Sequence, residues 1–436
     1  MKSPYTGLNP NRFWRTGVSE AHPLTVADLY RKKFAITASD KIATAGSCFA
    51  QHVANHLRTN GYSVMDVEPS PAFLPSESAK EFGYGIYSAR YGNIYTVRQL
   101  LQLAQDAKSG TVDPLNIWTN GDRFYDALRP NIEPTGFDSP QEAAALREQH
   151  LAAVKRLFRR MDVFIFTLGL TEAWVDKRTN RVFPTAPGTI AGDFDPSIYE
   201  FKNFTYDEIH ADFVEFLDLI RARNPDVRVI LTVSPVPLTA TATDNHVLVA
   251  TTYSKSVLRA VAGSIAQSYP DVDYFPSYEM IASPWSKGFF YEGNMRAVNA
   301  GGVAAVMRVF FKQHGTVETQ AADEQPRQQP EERVPGAGRQ RRRRLLRAGA
   351  TAERTGQNAE EMANENVLPE VPGKQHRRQA KERAPGAKRQ KRERPSRERP
   401  SRAEARAARA KGKAEPTGAM ADEVVCEEIL LEAFNR

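Results

Sequence analysis

The sequence predicts a three-layer α/β domain with a mostly parallel sheet over residues 10–315. Short apolar runs alternate with amphipathic helical patterns, which is the order expected of βαβ units. Two of the runs, VFIFTLGL (163–170) and VRVILTVSPVP (227–237), are apolar on both faces, as central strands of parallel sheets are. Large aromatic side chains also stop early, since only Phe434 lies beyond residue 318, and the folded domain should end before that point.

The predicted elements alternate regularly from residue 41 onward. A strand at 41–46 (KIATAG) leads directly into a helical pattern at 49–60 that ends before Gly61. Further helices are predicted at 95–107, 141–161, 206–223, 253–269 and 301–315, and further strands at 163–170, 227–237 and 272–278. In open parallel sheets ligands bind beyond the carboxyl ends of the strands, so the segments that follow the strands should hold any functional site.

The C-terminal part of the chain has a different composition. From residue 319 onward it holds 27 Lys and Arg against 19 Asp and Glu, while the rest of the chain holds 32 against 33. We predict a disordered basic tail at 316–421, followed by a short acidic amphipathic segment at 422–436. The tail could recruit an anionic partner (a protein, an RNA or a membrane surface) or serve only as a solubilising linker.

Cysteine usage and hydropathy exclude several classes of protein. The two cysteines, Cys48 and Cys426, form no closely spaced pair, so neither a disulfide framework nor a metal site is predicted, and no cofactor is called for. The sequence contains no signal-peptide pattern and no window apolar enough for a transmembrane segment. We therefore predict a cytoplasmic protein.

The junction between the first strand and the first helix, GSCFA (46–50), is the most informative stretch. Ser47 could be a nucleophile, because its backbone N–H would belong to the first turn of the helix and, with the positive end of the helix dipole, could stabilise an oxyanion that forms nearby. It could equally be a helix N-cap, for which serine is a preferred residue. Cys48 is an alternative nucleophile, since a thiol in the first turn of a helix ionises more readily, although a small packed hydrophobic residue is the more ordinary role.

Six segments resemble, in order, the GSCFA domain family, which is placed among the SGNH/GDSL-type hydrolases. They are GSCFAQHVANHL (46–57), ARYGNIYT (89–96), FTLGLTEAW (166–174), LTVSPVPLT (231–239), YSKSVLR (253–259) and DYFPSYEM (273–280). The resemblance covers about residues 9–314 and does not extend to the tail. It implies a flavodoxin-like fold of the SGNH type.

The resemblance also implies catalytic roles for individual residues. Ser47 stands at the position of the hydrolase nucleophile, and Gly92 matches the glycine of the oxyanion hole, with Asn93 as a further donor. Residues 169–172 (GLTE) occupy the place of a GxND motif, which puts Thr171 at the position of the asparagine donor. A threonine hydroxyl can donate only one hydrogen bond and is shorter than the amide.

The same stretch implies a substrate-binding role for Gly169, Glu172 and Trp174. A carboxylate beside an indole is a common pair in sugar-binding sites, which here would be Glu172 and Trp174. Packing in the core is the alternative role of the tryptophan. The substrate implied is a small molecule or a carbohydrate ester.

The general base is the point at which the sequence departs from the hydrolase pattern. Where those hydrolases carry DxxH before the last helix, this chain offers Asn294 and Ala297. A serine hydroxyl must lose its proton during attack, so another base is needed. His246 is the favoured candidate, because it follows the predicted strand at 227–237 and should emerge near Ser47, with Asp244 to orient it.

Two functions of different classes therefore stay open at the level of sequence. The first is an SGNH-like serine esterase or O-acyltransferase that acts on an acylated carbohydrate through an acyl-enzyme at Ser47. The second is a non-catalytic module that binds a glycan or acyl ligand, which the missing DxxH motif favours. A scaffold that associates with nucleic acid through its tail is a third possibility.

Overall fold

The computed structural model of the chain describes residues 3–24, 28–316 and 430–431. The predicted tail at 316–421 lies outside the described residues except for its first residue. Of the predicted acidic segment at 422–436, only Leu430 and Leu431 are described. None of the helices in the described ranges is both long enough and apolar enough to cross a membrane.

The regular elements alternate along the chain much as the sequence predicts. The strands are β1 (Ile42–Gly46), β2 (Ile117–Asn120), β3 (Arg123–Asp126), β4 (Val163–Leu168), β5 (Glu172–Asp176), β6 (Arg181–Phe183), β7 (Tyr199–Asn203), β8 (Arg228–Val233) and β9 (Val272–Tyr274). The helices are α1 (Phe49–Thr59), α2 (Ser76–Glu81), α3 (Val97–Ser109), α4 (Pro140–Arg160), α5 (Tyr206–Arg221), α6 (Val247–Ser268), α7 (Ser277–Ala282) and α8 (Ala300–His314).

A parallel sheet of four strands lies at the centre, in the order β1-β4-β8-β9. Val64 adds a parallel bridge to Ile42 on the outer side of β1, with the Met65 N–H donating to the Ile42 carbonyl at 2.8 Å. Counted with this short segment, the spatial order is the 2-1-3-4-5 of flavodoxin-like folds. The predicted fold class is therefore confirmed.

Side chains on the two faces of the sheet belong to two separate cores. In β4, Phe164 and Phe166 point into the core formed with α3, α4, α5 and α6. Val163 and Ile165 point into the other core, to which α1 and α8 contribute. Because successive side chains of a strand point to opposite faces, this alternation explains why the strand is apolar throughout and why the fold has three layers.

Two smaller β-structures lie outside the central sheet. Strands β6, β5 and β7 form a three-stranded antiparallel sheet, and β2 and β3 form a hairpin. Neither was predicted, since each strand is only three to five residues long and shows no clear alternation. Residues 163–170 were predicted as one strand, but β4 ends at Leu168 and the chain turns at Gly169 before β5.

Three predicted boundaries also differ from the structure. The strand predicted at 227–237 ends, as β8, at Val233. Helix α6 begins at Val247 rather than at 253, because His246 caps it. The predicted strand at 272–278 is divided into β9 and the short helix α7, since Pro276 precedes the helix and cannot continue the strand's hydrogen bonds. The start of α6 matters for the site, because it fixes where His246 lies.

The strand order reverses between β1 and β4. In a doubly wound sheet the helices that follow two such strands leave towards opposite faces, which opens a crevice at their carboxyl ends. Ser47 follows β1 directly, and the turn that begins at Gly169 follows β4. The GSCFA junction therefore lies at the switch point of the sheet.

Candidate active site

Ser47 lies between β1 and α1, and its hydroxyl does not cap the helix. The N-cap residue of α1 is Cys48, and no side chain makes a capping hydrogen bond there. The Ser47 side chain is only 3% exposed, and its Oγ atom has no hydrogen-bond partner among the described residues. A buried hydroxyl normally has a partner, so the N-cap interpretation does not account for this serine.

Two glycines allow the backbone to come close at this point. Gly46 has φ +136°, and a Cβ atom there would lie 2.7 Å from the backbone nitrogen of Thr167 on β4. A Cβ atom at Gly169 would lie 2.9 Å from the Cβ atom of Ser47 and 2.9 Å from the carbonyl oxygen of Tyr95. The β4–β5 turn thus packs directly against Ser47. At both positions a side chain would collide with neighbouring atoms, so glycine is required.

The segment RYGNIYT (90–96) crosses the same edge of the sheet. The Ile94 N–H donates to the Gly46 carbonyl at 2.9 Å, and the N–H groups of Gly169 and Leu170 donate to the Tyr95 carbonyl at 3.2 and 2.8 Å. Gly92 makes the turn with φ +67°, a conformation that favours glycine. The predicted oxyanion-hole residues are therefore held between the ends of β1 and β4.

Asn93 is fixed by a hydrogen-bond network that reaches Ser47. Its Oδ1 atom accepts from the Tyr87 hydroxyl and, at 3.4 Å, from Gln51 Nε2. The Tyr87 hydroxyl also lies 3.2 Å from the Ser47 carbonyl oxygen. Because Oδ1 is occupied, the Nδ2 amide is the donor end of the Asn93 side chain.

Thr171 has a second buried hydroxyl near this edge. It is fully buried, and its Oγ1 atom has no hydrogen-bond partner among the described residues. Its backbone N–H donates to Ser254 Oγ on α6 at 3.1 Å. The next residue of that helix, Lys255, donates from Nζ to the Gly169 carbonyl at 2.6 Å. Helix α6 therefore holds the β4–β5 turn at two adjacent points.

The structure corrects one expectation about the oxyanion hole. The sequence predicts that the Ser47 N–H, as part of the first helical turn, would face the oxyanion. Instead this N–H donates to the Thr167 carbonyl at 3.1 Å, because the β1–β4 ladder continues one residue beyond β1. The N–H is already used in the fold, which leaves Gly92, Asn93 and Thr171 as the predicted donors.

Glu172 and Trp174 lie on β5, at the wall of a cavity of about 200 Å³. Burial raises the pKa of the Glu172 carboxyl, partly offset by hydrogen bonds from the Thr241 hydroxyl at 2.9 Å and from the backbone of the same loop. The Trp174 ring packs edge-on against Phe194 and Phe201, with ring centroids 5.0 and 5.8 Å away. Glu172 and Trp174, two of the three predicted binding residues, thus line one cavity, and the tryptophan is also packed.

The cavity begins next to the β4–β5 turn and is lined in part by one residue near the C-terminus. Leu170, the neighbour of Gly169, lines it, as does Leu238 after β8. Leu431 lines it as well, although it lies far along the sequence. Leu431 therefore contributes an apolar side chain to a cavity beside the β4–β5 turn.

His246 is not bonded to Ser47. It is exposed and serves as the N-cap of α6, where its Nδ1 atom accepts a hydrogen bond from the Leu248 N–H at 3.1 Å. A neutral imidazole whose Nδ1 atom accepts carries its proton on Nε2, so neither nitrogen can take a proton without loss of the cap. Asp244, its predicted partner, is also exposed.

The turn that replaces DxxH offers no base either. Asn294 is exposed, and its Oδ1 atom accepts from the N–H groups of Arg296 and Ala297, both at 2.9 Å. The asparagine stabilises the turn before α8. Cys48, the alternative nucleophile, is buried, at 4% exposure.

A sequence model of the GSCFA family matches residues 41–310. The chain belongs to the GSCFA family. Two solved structures resemble this GSCFA protein distantly, and each likeness covers 65% of this chain and 97% of the other. One is a carbohydrate esterase family 3 from Talaromyces cellulolyticus (12% identity, TM-score 0.28), and the other is an acetyl esterase mutant with acetate ion (13% identity, TM-score 0.27). These likenesses are too distant to assign a substrate, and no curated protein matches the chain.

The sequence did not identify the residues that contact the site residues from neighbouring elements. Tyr87 and Lys255 were not singled out, although both contact site residues in this GSCFA protein. A signal for the lysine was present, because Lys255 shares the i, i+3, i+7 spacing of Leu258 and Ala262, which are both buried. A lysine on the apolar stripe of a helix is unusual enough to mark a functional candidate.

Proposed function

We propose that this GSCFA protein is a serine esterase or O-acyltransferase that forms an acyl-enzyme at Ser47 and acts on an acylated carbohydrate. The observation that supports this most is the state of the Ser47 hydroxyl. It is buried at the switch point of the sheet, caps no helix and has no partner among the described residues. A serine hydroxyl with no capping role and no described partner, at the edge of the sheet where ligands bind, supports a role as nucleophile.

In the proposed mechanism, Ser47 Oγ attacks the acyl carbonyl and the carbonyl oxygen becomes an oxyanion. Gly92 N–H, Asn93 Nδ2 and Thr171 Oγ1 are the proposed donors to that oxyanion. Asn93 supports this best, because its amide is already oriented by Tyr87. His246, the base proposed from the sequence, would first have to release the N-terminus of α6.

The cavity beside the β4–β5 turn is the proposed site for the alcohol part of the ester. Its wall combines the Glu172 carboxyl, which can accept hydrogen bonds from sugar hydroxyls, with the side chain of Trp174.

A non-catalytic binding module is the second candidate. Asn294 at the place of the DxxH aspartate favours it, since its side chain is committed to a turn. An anionic partner for the basic tail and a cytoplasmic location are further proposals, which rest on composition alone.

Acyl-enzyme formation separates the two candidates. The full-length protein is mixed with p-nitrophenyl acetate, and the release of p-nitrophenol and the acetylated peptide are measured. An enzyme should give a burst and an acetyl group on Ser47, lost in Ser47→Ala and kept in Cys48→Ala. The reverse pattern would make Cys48 the nucleophile, and no acetylation of folded protein would favour the binding module.

A further inference from the structure

A cavity of about 360 Å³ lies between the C-terminal ends of α3, α4 and α5. Its volume is in the range of small-molecule binding sites. Helix α4 ends just before β4 begins, so the cavity lies near the amino end of the sheet, whereas Ser47 follows the carboxyl end of β1. The cavity is therefore separate from the candidate active site, and a ligand in it would be additional to the proposed ester.

The most buried residues that line this cavity are apolar. They are 2% to 7% exposed and come from all three helices: Ala104, Ala107, Phe158 and Ile220. The two alanines on α3 are small, which leaves space between the larger side chains of α4 and α5. The cavity therefore has an apolar base that can take an alkyl chain out of water.

Hydrogen bonds tie together the helix ends around the cavity. Asn224, just after α5, donates from Nδ2 to the carbonyl oxygens of Phe158 and Met161 at the end of α4, at 3.1 and 2.7 Å. Lys155 on α4 donates from Nζ to the Lys108 carbonyl oxygen at the end of α3, at 3.1 Å. These contacts fix α4 to both neighbouring helices, so the cavity is formed before a ligand binds.

Cationic side chains also line the cavity. They are Lys108, Lys155, Arg159 and Arg223, and none of the described residues that line it is acidic. Lys108, Arg159 and Arg223 are exposed, and their side chains make no hydrogen bond or ion pair with the described residues. Cations in the last turn of a helix offset its dipole, which accounts for the charge of Lys108 and Arg159. The dipole does not account for the apolar cavity that these residues line.

We propose that this cavity is a binding site for a free aliphatic carboxylate. Its alkyl chain packs on Phe158 and Ile220, and its carboxylate pairs with Arg159 and Arg223, whose guanidinium groups match a carboxylate in charge and in hydrogen-bond geometry. The apolar residues are almost fully buried while the cations are exposed. A single chain can enter such a cavity, whereas a flat membrane surface would meet only the cations.

The test compares three probes by isothermal titration calorimetry with the full-length protein: octanoate, octan-1-ol and acetate. Octanoate should bind more tightly than either of the others, because octan-1-ol lacks the charge and acetate lacks the chain. Added salt should weaken the binding of octanoate, since it screens the cations. No binding of octanoate, or equal binding of octanoate and octan-1-ol, would overturn the proposal. Binding to phosphatidylglycerol vesicles without binding of octanoate would replace the free carboxylate by a membrane surface.

Variants of the two arginines locate the site. Arg159→Gln and Arg223→Gln should each raise the dissociation constant of octanoate about threefold, and the double variant about tenfold, as expected for exposed charge pairs. Arg156→Gln is the matched control, because Arg156 is an exposed arginine of the same helix that does not line the cavity. Its dissociation constant should equal that of the wild type. A double variant that binds octanoate as the wild type does would place the ligand elsewhere and overturn the proposal.

A second measurement needs no variant and applies if the arginine variants do not fold. In the wild type, octanoate should shift the methyl NMR signals of Ile220, which lines the cavity, and leave those of Ile36, in the core on the other face of the sheet, unchanged. An unchanged Ile220 signal at saturating octanoate would overturn the site. Binding is measured without any reaction at Ser47, so failure here leaves the proposed function standing, and failure of Ser47 to react leaves this site standing.

Discussion

Replacement of Gly169 by alanine tests whether the β4–β5 turn fixes the position of Ser47. The added Cβ atom would lie 2.9 Å from Ser47 Cβ and 2.9 Å from the Tyr95 carbonyl oxygen. Carbon atoms in contact are normally about 3.5 Å apart or more, so the serine or the turn must move by roughly 0.6 Å. No left-handed backbone angle is involved at this glycine, so the effect comes from contact alone.

Two consequences are expected. Overpacking of this kind costs about 1–3 kcal/mol of unfolding free energy, which urea denaturation measures. Displacement of a nucleophile by a large fraction of an ångström should slow fluorophosphonate labelling of Ser47 about tenfold or more. The loss of unfolding free energy and the slowing of labelling need not be equal. A small shift of Ser47 relieves much of the overpacking but still displaces the nucleophile.

Gly293→Ala is the matched control. Nothing lies within 4 Å of a Cβ atom placed there, and its backbone is not left-handed. It therefore carries only the change that alanine makes to the unfolded chain, within about 1 kcal/mol and stabilising in sign. If Gly169→Ala and Gly293→Ala unfold at the same urea concentration and label at the same rate, the inferred contact with Ser47 does not constrain the site.

Three further predictions concern the surroundings of the site. His246→Ala should lower the unfolding free energy by about 1 kcal/mol, because the cap of α6 is lost. The labelling rate of Ser47 should stay unchanged. A loss of labelling would make His246 the base. Leu431→Ala should speed labelling by a bulky fluorophosphonate, because Leu431 lines the cavity. Leu430→Ala, at a side chain that is 41% exposed, should not change the labelling rate. Equal rates in the two variants would show that Leu431 does not limit access to the cavity. Burial lowers the pKa of His150 to about 4, so its neutral form is favoured on folding and stability should fall by roughly 3 kcal/mol as the pH drops from 6.5 to 4. Urea denaturation across that range should show a smaller loss in His150→Phe, and equal slopes would contradict the assignment.

The sheet and the position of Ser47 could be predicted because both depend on local patterns. Residues 163–168 are apolar on both faces, as central strands of parallel sheets are, and Gly-Ser between the short strand at 42–46 and the following helix marks the carboxyl edge. The reversal of strand order that makes this edge a crevice follows from the topology once the strands are known.

The residues that hold the β4–β5 turn against Ser47 could not be predicted in the same way. Lys255 lies far from Gly169 in sequence, and the contact between them depends on how α6 packs over this turn. His246 was placed in a loop because its own helix begins with Val247 and Leu248, whose pattern is too short to show the start of a helix. The strand β5 was not predicted for a similar reason, since it is too short to show a clear pattern, although it carries Glu172 and Trp174.

The most direct test of the central claim is the mass of the full-length protein after reaction with a small fluorophosphonate, followed by peptide mapping. An activated Ser47 should give one adduct per chain, on the peptide that contains Ser47, and none in Ser47→Ala. An adduct on another residue, or an unmodified protein that is folded by circular dichroism, would contradict the claim that this buried serine is a nucleophile.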